Sequence, residues 1–327
     1  MNRMKTSQKI IEYIREHRQV TGQELTDFLG ITDRGVRKQL FTLLKQGVLT
    51  KKGHPPIVYY QINDSLKEMV ELSVLPKSII EVIDQNYLYI TPTGEKLVGL
   101  VGFKSWCKKQ NLPLEKTSYE YVAMLEKFAQ YKKRGFIDGL AKLHRTYNQV
   151  FLDDLYYLDF YSIDRFGKTK LGQLLLYAKQ SQQTALMSEL IDTLAPMIEK
   201  LIILKNITSV GFIPPTVKRQ VQFMSVLKKK LKLKLRFITI QKIKSEVAVP
   251  QKSLGKLADR IENARHSIAV NDKSSHDNIL LIDDAVGSGA TLNETAKQMR
   301  EKGIVGGKII GLAIVGSYKG FDVISEV

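Results

Sequence analysis

A single cysteine, Cys107, in 327 residues excludes an internal disulfide and any cysteine-built zinc site, and alone it reads as a passive buried thiol. Tryptophan is as scarce, with only Trp106. No apolar run is long enough to span a bilayer, and the opening MNRMKTSQKI lacks the apolar core of a secretory signal, so a cytoplasmic protein with no membrane partner is expected. Acid is in deficit: 33 Asp and Glu stand against 50 Lys and Arg, a net charge of +17. The deficit is sharpest from Lys200 to Ser245, where twelve basic residues meet no acidic one. Such a field draws polyanions, nucleic acid or a pyrophosphate-bearing molecule, unless it is simply a solvated lysine face. What is plentiful is ordinary: 43% hydrophobic residues support packed cores, and the length suggests two or three domains.

Residues 1–63 form a compact pattern. Ile10, Ile11 and Ile14 mark one face of a first helix; Thr21 and Glu24 are spaced as a capping box for a second, with Leu25, Phe28 and Leu29 inward. Thr32 caps a third helix, whose apolar positions are Val36, Leu40, Leu43 and Leu44 and which stops at Gly47. VLTKK and IVYYQI then flank the turn Gly53-His54-Pro55-Pro56. This order is that of a winged helix-turn-helix. Its third helix would enter a DNA major groove with Asp33, Arg34, Arg37 and Lys38, while Thr32, Lys51, Lys52 and His54 would meet phosphates. Eleven Lys or Arg against five acids across residues 1–62 favour DNA over a protein contact for this domain.

From 64 to 150 the periodicity predicts a helical connector, with helices at 66–83, 98–110, 118–134 (capped by Ser118, stopped by Gly135) and 136–149. It carries no catalytic cluster and offers a surface for a possible homodimer. From 151 to 327 strands and helices alternate. A helix from Thr184, the strand SVGFIP, the basic helix PTVKRQVQFMSVLKKKL and the strand KLRFITI predict an α/β domain with a doubly wound parallel sheet, its ligands at the carboxyl ends of the strands.

The most informative stretch is Asn278–Thr291, NILLIDDAVGSGAT. Ile279–Ile282 read as a buried strand, Asp283 and Asp284 stand at its carboxyl end, and a Gly-Ser-Gly turn leads into a helix that stops at Gly303. A glycine turn feeding a helix N-terminus presents free N–H groups to a phosphate, while adjacent carboxylates accept hydrogen bonds from vicinal hydroxyls. A ribose 5-phosphate has both groups. The plainer alternative is an Asp-capped turn in a sheet.

This segment resembles the phosphoribosyl pyrophosphate signature of type I phosphoribosyltransferases. The resemblance implies that Asp283 and Asp284 bind the ribose hydroxyls and that Gly287, Ser288, Gly289, Ala290 and Thr291 wrap the 5′-phosphate. Gly287 stands where the family usually has a hydroxyl residue, so one side-chain donor is missing. With GKTKLGQLLLYAKQ, the strand ending at Pro214 and PQKSLGKLADRIENARHSI in the same order, residues 155–320 are similar to the ComF-type, competence-associated branch. That branch implies a hood at Gln251, Leu254, Arg260 and Asn263. Its usual cysteine zinc segment is absent, and a winged helix stands in its place.

Family members hold pyrophosphate on backbone N–H groups after the first strand, where this chain has Pro214 and Pro215, which have none. Lys218 and Arg219 either replace those donors by charge or are ordinary surface residues. Three functions remain open. The first is a ligand-responsive transcriptional regulator that binds phosphoribosyl pyrophosphate or a nucleoside monophosphate. The second is an active transferase using Mg²⁺-bound phosphoribosyl pyrophosphate, with Lys218, Arg219 and Arg260 as its catalytic cations. The third is a ComF-like protein handling single-stranded DNA.

Overall fold

The structure, a computed structural model, describes residues 6–63, 75–217, 219–243, 249 and 251–318. The chain divides into two units, Met1–Ser78 and Ile79–Val327. In the first, α1 (Thr6–His17) precedes β1 (Gln19–Thr21), α2 (Gly22–Leu29), α3 (Asp33–Lys45) and the antiparallel pair β2 (Leu49–His54) and β3 (Ile57–Ile62), with sheet order β1-β3-β2. Local chemistry sets these boundaries. Thr21 Oγ1 accepts the Glu24 N–H at 3.3 Å while the Glu24 carboxylate accepts the Thr21 N–H at 2.6 Å, a reciprocal cap. Gly30 closes α2 at φ 63°, and Thr32 caps α3 by accepting the Gly35 N–H. Ile10, Ile14, Leu25, Val36, Leu40, Leu43 and Leu49 fill the core.

The second unit begins on α4 (Lys77–Asn86), followed by the hairpin β4 (Leu88–Ile90) and β5 (Lys96–Val98), then α5 (Gly99–Lys109) and α6 (Leu114–Ala129). The start of the helix expected over 66–83 falls at 64–74, outside the described residues. Ser118 does not cap: α6 starts earlier, behind Pro113, and the Ser118 hydroxyl donates to the Leu114 carbonyl at 2.8 Å. The helix expected over 118–134 ends at Ala129, and from there, across the fourth helix expected over 136–149, the chain forms β6 (Lys132–Lys133), β7 (Phe136–Asp138) and the shorter α7 (Leu140–Thr146). Arg134 and Gly135, both at positive φ, make the two-residue turn of a hairpin whose twist matches its strands. Residues 79–150 thus belong to the second unit rather than standing apart as a connector, and β7 pairs with the sheet.

The remaining elements are β8 (Asp154–Phe160), the short pair β9 (Ser162–Ile163) and β10 (Gly167–Lys168), α8 (Lys170–Ser181), α9 (Thr184–Leu204), β11 (Ser209–Phe212), α10 (Phe223–Leu231), β12 (Arg236–Ile238), β13 (Ile240–Lys242), α11 (Leu257–Ser267), β14 (Ile268–Val270), β15 (Ile279–Val286), α12 (Ala290–Glu301) and β16 (Ile309–Gly316). One seven-stranded sheet runs β12-β11-β15-β16-β8-β7-β6; the first five strands are parallel, β7 pairs antiparallel with β8, and β6 antiparallel with β7. Along β15 and β16 successive side chains alternate faces. Leu280, Ile282, Ile310 and Leu312 join the core of α8, α9 and α10, whereas Leu292 of α12 comes against Gly311 from the other side. That burial on both faces explains the unbroken apolar runs. From β11 the chain moves outward to β12, then returns to lay β15 on the other flank of β11, and this reversal opens a crevice at the carboxyl ends of β11 and β15.

Candidate functional site

A cavity of about 320 Å³ occupies that crevice, walled in part by Phe223 and Met224 at the start of α10, and its polar lining comes from five places. The β15 end and the turn after it supply Asp283, Asp284 and residues 287–291; the loop after β11 supplies Pro214, Pro215 and Arg219; α8 supplies Lys179; β13 supplies Lys242; and the segment before α11, with α11 itself, supplies Gln251 and Arg260.

The two carboxylates are separated by the strand's own pleat. Adjacent residues of β15 face opposite sides of the sheet, so the two acids meet the lysines of the cavity differently. Asp284 is paired with Lys179 of α8, Nζ to Oδ2 2.7 Å, both side chains largely buried. Asp283 feels the Lys179 ammonium first and then that of Lys242, which is carried in by the β13–β14 pairing of Lys242 with Ile268. The Lys242 ammonium also donates to Ser267 Oγ at 2.6 Å. Burial, and then the neighbouring Asp284 charge, push the Asp283 carboxyl up to about 7; burial pushes Lys242 down. The backbone N–H of Asp284 donates to Asp283 Oδ1 at 2.8 Å, which partly offsets the first effect.

The sign of this linkage gives a test. A carboxyl whose folded pKa is raised binds its proton more tightly when folded. Its stabilising effect is complete below the unfolded value near pH 4 and is lost as the pH rises through about 7. Asp283→Asn removes that loss. Water reaches Asp283 through the open cavity, so we expect the variant to match the parent near pH 4 and to exceed it above pH 7 by about 1–3 kcal/mol. Denaturant melts between pH 4 and 8 measure the difference; a flat difference curve would contradict the raised carboxyl of Asp283.

The turn after β15 is shaped for close approach. Gly289 caps α12 at φ 81°, and a Cβ there would lie 2.5 Å from Leu143 Cδ1 of α7. Ser288 Oγ accepts the Ala290 N–H at 3.4 Å, and the first turn of α12 aims N–H groups and the positive helix end at the cavity. The Tyr147 phenol stands beside Ser288 and Arg260, raised to about 12 by burial. Asn293 stitches the preceding segment to α12: its Nδ2 donates to the Gln149 carbonyl and its Oδ1 accepts the Phe151 N–H.

The proposed hood is knitted to itself. Gln251 Nε2 donates to the Arg260 carbonyl at 2.9 Å, Arg260 Nε to the Leu254 carbonyl at 2.8 Å, and Asn263 Nδ2 to the Val249 carbonyl at 3.3 Å. Gln251 and Arg260 line the cavity; Leu254 and Asn263 do not. Lys218 lies outside the described residues. The long basic helix expected from Pro215 starts only at Phe223, and residues 214–217 and 219 run along the cavity instead. The basic stripe accordingly divides. Arg219 and Lys242 face the crevice, Lys205 pairs with Asp154, and Lys228, Lys229 and Lys230 on α10 are exposed.

No sequence motif points to Lys179 or Lys242. Lys179 had a signal, since it follows Leu174, Leu175 and Ala178 on a buried stretch of α8, where a cation requires an anion. One other constellation resembles a nucleophile set: Ser209 Oγ is 2.8 Å from His276 Nδ1, and His276 Nε2 is 3.4 Å from Asp272. Ser209 is 1% exposed at the amino end of β11, away from the crevice, so this set ties the sheet together. Cys107 is buried, which pushes its thiol up to about 12.

In the first unit, α3 exposes Arg34, Arg37 and Lys38 on one side, with Thr32 at its start; Lys51 and Lys52 are exposed on β2. Arg37 pairs with Asp33 at 2.9 Å. Residues 7–54, which run from α1 to the end of β2, match the DeoR-like helix-turn-helix domain. No curated protein matches the chain. The first unit is therefore a DNA-binding helix-turn-helix of the regulatory kind, in a chain where no described helix is long and apolar enough to cross a membrane.

Proposed function

We propose that the chain is a ligand-responsive DNA-binding regulator whose second unit is a doubly wound, phosphoribosyltransferase-like domain of the ComF type, and that the crevice takes phosphoribosyl pyrophosphate or a nucleoside monophosphate. The observation that carries this reading is the meeting of Asp283 and Asp284 with the 287–291 turn at the strand-order reversal. The acids would accept the ribose hydroxyls and the turn would hold the 5′-phosphate. Lys179, Lys242, Arg219 and Arg260 outnumber the two acids, which favours a ligand with several negative charges. No group of three or more metal-ligating side chains is gathered among the described residues. Mg²⁺ would accordingly enter on the ligand's phosphates, with Asp283 and Asp284 the nearest anions. Calorimetric titration with phosphoribosyl pyrophosphate and with nucleoside monophosphates, with and without Mg²⁺, tests the reading; no heat from any of them would refute it.

Pro214 and Pro215 on the cavity wall favour sensing over turnover. Neither has an N–H to stabilise a departing pyrophosphate, although Arg219 and Arg260 lie close enough for an active transferase to employ them. We expect pyrophosphate release with common nucleobases to be slow or absent while binding persists. Ligand and DNA affinities should shift each other by the same factor, because such coupling is reciprocal. Measuring pyrophosphate release beside DNA affinity with and without ligand decides between the two; rapid release with ligand-indifferent DNA binding would leave the transferase.

A further inference from the structure

Phe41 is the most exposed large hydrophobic side chain among the described residues of the first unit, at 69%. It lies seven residues after Arg34, four after Arg37 and three after Lys38, so all four share one face of α3, opposite Val36, Leu40 and Leu43. Recognition helices reach base edges with this i, i+3, i+4, i+7 set. Three cations beside the ring make a poor site for an apolar protein surface and a good one for a polyanion. Inside a major groove the one apolar feature that varies with sequence is the thymine methyl group.

We propose that Phe41 reads a thymine methyl, an inference that rests on the DNA-binding role of the first unit. A rise of about 1.5 Å per residue puts Phe41 about 10 Å along the helix from Arg34. At about 3.4 Å per base along a strand, the thymine lies about three steps from the base that Arg34 addresses.

The test uses the full chain. Duplexes are selected from a random pool, and each thymine of the best binder is replaced in turn by deoxyuridine, which removes only the methyl. At one position the parent should lose about fourfold in affinity, the worth of one buried methyl. Phe41→Ala should be indifferent to that change, and Phe41→Leu should keep part of the preference. Equal binding of every deoxyuridine duplex by the parent, or undiminished discrimination by Phe41→Ala, overturns the inference while the DNA-binding role stands. A Phe41→Ala protein changed only in oligomeric state in sedimentation overturns it in favour of a protein contact. Failure of the selection to enrich any duplex removes the DNA-binding role itself, and the inference with it.

Discussion

Arg34, Arg37 and Lys38 changed together to alanine should lower affinity for duplex DNA on the order of a hundredfold near physiological salt, at about 1 kcal/mol or more for each lost contact. The three side chains are exposed on α3, while Val36, Leu40 and Leu43 hold that helix to its core, so the variant should fold. The Arg37–Asp33 pair does not protect the free protein from this loss. Its side chains are 76% and 54% exposed, and a surface pair of that kind is worth about 0–1 kcal/mol, little to surrender when a phosphate or base replaces Asp33. The slope of log affinity against log salt should fall by about one for each of the three that neutralises a phosphate. A salt series by fluorescence anisotropy measures both quantities; parental affinity and slope in the triple variant would move the DNA surface elsewhere.

The second large effect is expected at the crevice. Asp283→Asn with Asp284→Asn keeps the side-chain size and removes the charge that strengthens acceptance of ribose hydroxyls. At about 1.5–3 kcal/mol per charge-assisted bond, affinity for phosphoribosyl pyrophosphate should fall at least tenfold. The lysines sharpen the contrast. With both acids neutral, Lys179 loses its 2.7 Å partner and the cavity becomes wholly cationic, so it should still attract phosphate while losing its preference for the ribose. Calorimetry with phosphoribosyl pyrophosphate and with inorganic pyrophosphate separates the two. If the double variant bound phosphoribosyl pyrophosphate as tightly as the parent, the carboxylates would not be its anchor.

Much of this architecture is local, and what is local was legible. Thr21 and Glu24 announce a cap because both partners lie within one helical turn, and Ile279–Ile282 announce a buried strand because four apolar residues in a row have no solvent face. Asp283, Asp284 and the 287–291 turn are contiguous, and their chemistry can be read without knowing what lies opposite. What was illegible depends on distant partners. Lys132 to Asp138 fit helical spacing because Gly135 serves equally well as a helix stop or a hairpin turn, and only pairing with Tyr157 of β8 decides for the strand. Lys242 reaches the cavity through its pairing with β14, and Tyr147 comes beside Ser288 and Arg260, contacts between segments far apart in sequence.

The brace of Leu143 against Gly289 bears on where this protein can be divided. A fragment begun at residue 151 would carry Asp283, Asp284 and the 287–291 turn and yet lack Leu143, the wall against which Gly289 packs. It would also lack β7, leaving β8 as a raw sheet margin with unpaired amides open to the next molecule. The natural seam falls near residue 79, so the stretch with no recognisable chemistry is the part that backs the turn after β15 and covers the margin of β8.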